Sequence, residues 1–283
     1  VTEITIAAAL ETAIARLSAV GVDTPKMDAR ILLCHSADLE MANVIIDPYV
    51  VLGEKDLEKF EALVVRREKR EPVSHLIGER EFWSLPFIVT ADVLDPRPAS
   101  ETLIETALDH MRDCPEPLSI LDLGTGSGCL LIAVLSELPG ASGVGIDCSE
   151  AALTIARQNA EKNSVDDRAT FVSSSWGNAM SGSFDLILSN PPYIADPERD
   201  DLEPEVAIYE PASALFAGED GLSAYREIAP EIYRLLTSNG IAAIECGRGQ
   251  MASVIKILGD AGLQHIETRC DFDGVERCGV FGR

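Results

Sequence analysis

No run of apolar residues approaches the ~20 needed to cross a bilayer. The opening "VTEITIAAALETAIARL" has no basic start and no small-residue cleavage site, and Glu3, Glu11 and Arg16 interrupt it. It is not expected to be a secretory signal. The seven cysteines (Cys34, Cys114, Cys129, Cys148, Cys246, Cys270, Cys278) are odd in number and scattered, with no C-x-x-C or zinc-like spacing. The four histidines are equally dispersed. No metal site is expected, and reduced thiols in a cytoplasmic protein are. Positive charge is also scarce: 23 Lys and Arg face 47 Asp and Glu, a net charge of −24. Such a surface repels phosphate backbones and anionic membranes and suits a protein partner better. No direct nucleic-acid binding and no membrane association are therefore expected; a monomer is a separate expectation, which the sequence itself does not fix. There is no internal repeat and no low-complexity segment.

What is present is an ordinary globular composition, 46% apolar and 25% charged over 283 residues, long enough for two modest domains. Apolar residues recur at helical spacing in 4–20 (Ile6, Leu10, Ile14, Leu17), in 27–38, and in 54–71 (Leu57, Phe60, Leu63, Val64). The last of these ends in Arg66, Arg67, Lys69 and Arg70, which suit a helix C-terminus. A helical domain over 1–72 is expected. At 73–98 the texture changes to β-type residues broken by Gly78 and Pro86, predicting a hairpin linker near 79–83 and 87–90. A helix beginning near Ser100 opens the third segment, 99–283. From 118 strands and helices alternate, except for a long loop over 191–217. The predicted fold class is α/β: a mostly parallel, Rossmann-like sheet with helices on both faces.

Four stretches carry chemistry. "LDLGTGSGCL" runs a strand into Gly124, Gly126 and Gly128 and then a helix, so that a ligand can approach the backbone closely. Its G-x-G-x-G spacing fails the dinucleotide fingerprint G-x-G-x-x-G, and no Walker lysine is present. The form Asp-x-Gly-x-Gly-x-Gly resembles the first motif of class I S-adenosylmethionine-dependent methyltransferases. Asp147 ends the next strand, where an acidic residue accepts hydrogen bonds from ribose hydroxyls; capping the following helix is its structural alternative. Trp176, after the third strand, matches the position beside adenine in that superfamily, where an indole can stack. A core tryptophan is the alternative. Ser175 stands where members often carry an acidic residue.

The fourth stretch, "LSNPPYI", stops a buried strand on Asn190, Pro191, Pro192 and Tyr193. Two prolines cannot extend a sheet, and they hold the residue before them extended. The outcome is a stiff corner at the carboxyl end of a strand, where open α/β sheets bind ligands. Asn-Pro-Pro-Tyr after such a strand resembles methyltransferases that act on a planar nitrogen, an amide or an exocyclic amino group; an amide nitrogen is a poor nucleophile. The Asn190 side-chain oxygen and the Pro191 carbonyl can each accept one of its N–H bonds and aim the nitrogen, so that orientation and electrostatics do most of the catalysis. Tyr193 would pack against the substrate stem.

The text "DARILL", "EPVSHLIGEREFWSLPFIV", "PRP", "ILDLGTGSG", "SNPPYI" and "GEDGL" together resembles the peptide-chain release factor glutamine N5-methyltransferases over nearly the whole chain. The resemblance implies transfer of a methyl group from S-adenosyl-L-methionine, leaving S-adenosyl-L-homocysteine, to the glutamine side-chain amide in the Gly-Gly-Gln motif of bacterial class I release factors. It implies a cofactor site at Asp122, Gly124, Thr125, Gly126, Ser127, Gly128, Asp147, Trp176 and Asn190. It places the catalytic groups at Asn190, Pro191 and Tyr193, and substrate contacts at Asn190, Pro191, Pro192 and Tyr193. The helical domain would help to grip the release factor. Relatives commonly carry an acidic residue and threonine after Pro-Arg-Pro, where this chain has Ala99 and Ser100. The roles of Arg97, Glu101 and Glu245 stay open. The competing readings are a glutamine methyltransferase of a ribosomal protein, a DNA adenine-N6 methyltransferase (for which no basic recognition region is seen), and a binding module that keeps the cofactor pocket.

Overall fold

Local signals set most element ends. In the computed structural model, which describes residues 3–115 and 117–283, Thr5 caps α1 (Ile6–Ala19) by accepting the Ala8 N–H. Pro25 opens α2 (Pro25–Ala37), and Asp38 closes it in the left-handed conformation. The first two residues of the stretch read for a signal sequence lie outside the described residues.

One compact unit comprises Val1–Gly78 together with Glu203–Tyr209. Its core, including Leu17, Leu32, Leu33, Phe60 and Val64, lies among α1, α2, α3 (Met41–Ile46), α4 (Glu54–Arg67) and α5 (Val73–Ile77). The arginines at the end of α4 and just after it are held by carboxylates. Arg67, buried, bonds Asp28 at 2.7 Å and Glu205 at 2.8 Å, and Arg70 bonds Glu203 and Glu205. Asp28, the first residue of "DARILL", is thus half of a buried ion pair. Removing one partner of such a pair typically costs 3–5 kcal/mol, because it strands the other charge.

The second unit comprises Glu79–Leu202 and Glu210–Arg283. It opens with a hairpin of β1 (Glu79–Phe82) and β2 (Leu85–Ile88), whose two-residue turn is Trp83–Ser84. Both have positive φ (53° and 57°), where Asn or Gly is usual. Outside bonds hold this turn: Trp83 donates its backbone N–H to Glu101 and its indole N–H to Glu137, each at 2.9 Å. Phe82 and Phe87 are buried in the core of this unit, so the hairpin belongs to it.

Next come α6 (Glu101–Met111), β3 (Ser119–Leu123), α7 (Cys129–Glu137), β4 (Ser142–Asp147), α8 (Glu150–Lys162), β5 (Ala169–Ser173) and β6 (Phe184–Ser189). The stretch read as a long loop holds two short helices, α9 (Pro204–Tyr209, part of the first unit) and α10 (Ala212–Leu215), and a 3-10 turn over Asp196–Asp201. The pattern was hidden there because helices this short show little apolar periodicity. The chain closes with α11 (Ser223–Leu235), β7 (Leu236–Glu245), α12 (Met251–Asp260), β8 (Gln264–Cys270) and β9 (Glu276–Gly282). Pro230 lies inside α11.

The seven strands run in the order β5-β4-β3-β6-β7-β9-β8, parallel except for β9, which is antiparallel to both neighbours. The central strands are buried on both faces, and alternate residues divide between two cores. Ile120, Leu186, Leu188, Ile241 and Ala243 pack with α6, α7 and α8, whereas Leu121, Ile187, Ala242 and Ile244 pack with α11 and α12. The strand order reverses around β3, whose carboxyl end meets those of β4 and β6. That is where a crevice opens. None of the described helices is long and apolar enough to cross a membrane.

Candidate active site

A cavity of about 300 Å³ occupies that crevice. Gly124, Gly126, Asp147, Trp176, Asn190 and Pro192 all line it. The turn after β3 carries positive φ at Gly124 (77°), Gly126 (54°) and Gly128 (81°), the left-handed region that favours glycine. The amides of Gly124 and Thr125 both bond the Ile146 carbonyl, at 2.9 and 2.8 Å, which pins the turn to β4. Asp147 receives the Gly126 N–H on one carboxylate oxygen and the Ser149 N–H on the other, each at 2.9 Å. Both oxygens keep lone pairs for a ligand.

The other residues of the glycine motif stand behind the turn rather than on its cavity face. Asp122 is fully buried and accepts the Thr125 hydroxyl at 2.6 Å. Burial pushes its carboxyl up to about 7 against the pull of that bond, and the Asp147 charge adds to the rise. Room for the Thr125 hydroxyl depends on Gly145 of β4, because a Cβ there would come within 2.8 Å of it. Ser127 is buried. Gly128 lies against α8, where a Cβ would meet Ile132 and Ala156. These four residues shape the turn and seat it.

Trp176 is half-buried, with its ring against Gly124. Its indole N–H donates to Glu227 of α11 at 2.6 Å, and Glu227 and Ser175 also line the cavity. Glu227 had no signal in the sequence. It lies far along the chain on a helix whose pattern reports only its apolar face.

At the opposite end, the Ser189 hydroxyl bonds the Leu123 carbonyl at 2.7 Å and ties the β6 end to the β3 end. Asn190 follows, half-buried, and its Nδ2 donates to the Ser100 hydroxyl at 3.1 Å. Pro192 borders the cavity, and Pro191 is buried. Tyr193 is set apart from the cavity, its ring packed with the α11 and α12 core. Its carbonyl accepts the Gln250 amide at 2.8 Å, while Gln250 Oε1 accepts the Gly247 N–H at 3.0 Å, so α12 clamps the corner. Burial raises the Tyr193 hydroxyl to about 12, with the Glu245 charge adding to the rise. Arg97 donates to Glu210 at 3.1 Å, and Glu101 holds the hairpin turn. Both are accounted for structurally.

The fold and this site define a Rossmann-like methyltransferase. Residues 79–216 match the family described as "Methyltransferase small domain", and residues 8–78 match the "PrmC N-terminal domain". A methyltransferase from Pyrococcus furiosus superposes with a TM-score of 0.52 at 16% identity, over 79% of this chain and 98% of that one, a likeness of fold alone. The release factor glutamine methyltransferase of Rhodospirillum rubrum is 43% identical over 93% of this chain and 80% of its own length. That of Caulobacter vibrioides is 42% identical over 93% and 91%. The chain belongs to the release factor glutamine methyltransferase family.

Proposed function

We propose that this protein methylates the side-chain amide nitrogen (N5) of the glutamine in the Gly-Gly-Gln motif of bacterial class I release factors, with S-adenosylmethionine as donor. The observation that carries the reading is that the Asn190 corner and the glycine turn face one continuous cavity. Its volume falls at the lower end of the range for small-molecule sites. The names of the relatives support the substrate, and a net charge of −24 suits a protein acceptor better than a nucleic acid.

The groups present fit the donor. Asp147 would accept from ribose hydroxyls and Trp176 would stack on adenine, with the open space over Gly126 leaving room for the ligand against the backbone. Glu227 and Ser175 offer oxygens at the Trp176 end. When bound, S-adenosylmethionine supplies a methyl carbon made electrophilic by the sulfonium. The chain's own task is to hold the acceptor. Asn190 Oδ1 and the Pro191 carbonyl would each take one N–H of the glutamine amide and Pro192 would wall the approach, while Tyr193, expected to pack against the substrate stem, instead braces the corner from the α11 and α12 core. This fixes the nitrogen and lends it electron density; the proton the nitrogen must shed becomes acidic only once it is methylated and then leaves to water, so no strong base is needed before attack.

Labelled methyl transfer to a purified release factor tests the reading. Label is expected on the native factor and absent when the motif glutamine is replaced. Label that persists after that replacement would defeat the substrate assignment.

A further inference from the structure

Glu227 reaches the cavity from α11, and the proposed function gives it no more than a place at the Trp176 end. Its Oε2 accepts the Trp176 indole N–H at 2.6 Å. Two other carboxylates on the cavity wall are engaged with their own stretches of chain. Asp147 holds the Gly126 and Ser149 amides, and Asp92 accepts the Thr90 hydroxyl at 3.2 Å. Glu227 is the one bonded to the indole.

Trp176 has a φ of 50°, a left-handed conformation that is rare for a bulky residue, so the direction of its ring must be held from outside. The same helix does this. Gly177 packs so closely on α11 that a Cβ there would come within 2.6 Å of the Glu231 carboxylate and 2.8 Å of Leu235. Arg234 donates to the carbonyls of Gly177 and Met180, at 2.9 and 3.0 Å. One helix thus anchors the turn that carries the indole and supplies the carboxylate bonded to it.

An ionised carboxylate only accepts, and one indole N–H leaves it lone pairs to spare. Among the described residues, Oε1 of Glu227 has no partner. A group that completes the carboxylate must therefore bring an N–H. Adenine brings one at its exocyclic amino group. Hypoxanthine, the same ring system with a carbonyl there, would set oxygen against oxygen. We infer that Glu227 is the specificity-determining residue of the donor site, taking the adenine amino group on Oε1 while Oε2 holds the Trp176 ring on which the base stacks. This rests on the proposed donor and extends that reading from where the base lies to which base is taken.

The test is calorimetric binding of S-adenosylhomocysteine and of S-inosylhomocysteine, in which a carbonyl replaces the amino group, to the full chain. The wild type should bind the adenosyl compound about 30-fold or more tightly, the scale of a hydrogen bond to a charged group. Glu227→Gln keeps an oxygen for the indole but turns an N–H toward the ligand. The adenosyl compound should then weaken by about 10-fold and the inosyl compound should not, bringing the two Kd values within about threefold of each other. Glu227→Ala should also bring them within about threefold, and it carries the test if Glu227→Gln loses its cooperative thermal transition. A carboxylate that only anchored Trp176 would, when replaced, weaken both compounds alike and leave their ratio unchanged. That outcome, or a ratio near one in the wild type, overturns the inference, and label on the release factor glutamine would still uphold the proposed function. Failure of the wild type to bind S-adenosylhomocysteine sinks both.

Discussion

The two ends of the cavity are built by different means. The glycine end is largely one continuous stretch, β3 and the turn after it, with Asp147 beside it. Its shape is backbone shape: three left-handed glycines, with amides bonded to Ile146 and Asp147. The asparagine end is a meeting of groups from distant elements: Asn190 after β6, Ser100 before α6 and Gln250 before α12. A backbone-built end should tolerate changed side chains but not an added Cβ. An end built from side chains should tolerate modest changes in volume but not the loss of a single hydrogen-bonding atom.

The sharpest way to break this contrast is Asn190→Ala. Turnover should fall about 10³-fold, in line with loss of a preorganised polar contact, while Kd for S-adenosylmethionine changes by less than about threefold. Turnover within about tenfold of wild type would erase the distinction. Gly126→Val should act oppositely. Its φ of 54° is strained for a β-branched residue, and the side chain would project into open cavity. Donor affinity measured by calorimetry should drop by about 100-fold or more, and unchanged affinity would show that the turn does not cradle the donor. Trp176→Ala should cost about 10–30-fold in donor affinity, the worth of one stacked base, with kcat at saturation nearly unchanged.

The smallest effect concerns Asp122. Because burial raises its folded-state carboxyl to about 7, the stability it contributes is complete below the ordinary carboxylate range. That contribution is lost as pH climbs through 7. Asp122→Asn should therefore flatten the decline in Tm between about pH 5.5 and 7.5 by about 2–4 °C, leaving the parts due to Glu210 and Glu245, whose carboxyls are raised by burial too. An equally steep decline in the variant would remove Asp122 as its source.

The same contrast explains what the sequence made readable. The α/β class, the strands flanking both motifs, and the glycine and Pro-Pro turns followed from periodicity and from residues with restricted backbones, which act locally. Asn190 could be named because prolines announce its corner. Ser100 and Glu227 could not, since each acts across the fold and single polar residues carry no period. Asp122 and Thr125 were readable as part of the motif, but that they turn inward to each other depends on the bare Cα of Gly145 one strand away. The Trp83–Ser84 turn was obscured for a related reason: its backbone is held by Glu101 and Glu137, not by its own residue types.

One side chain of α8 joins features that are far apart in sequence. Asn159, fully buried, takes the Ile88 N–H on Oδ1 at 2.6 Å and gives its own amide hydrogens to the carbonyls of Ile88 and Ser127. The last rung of the hairpin and the glycine turn are therefore fastened to the same knot. Anything that quiets the turn must also slow the opening of that rung. The Ile88 amide, in a different stretch of chain, becomes a natural gauge of occupancy: its hydrogen–deuterium exchange should slow when donor or product binds, without Ile88 touching either.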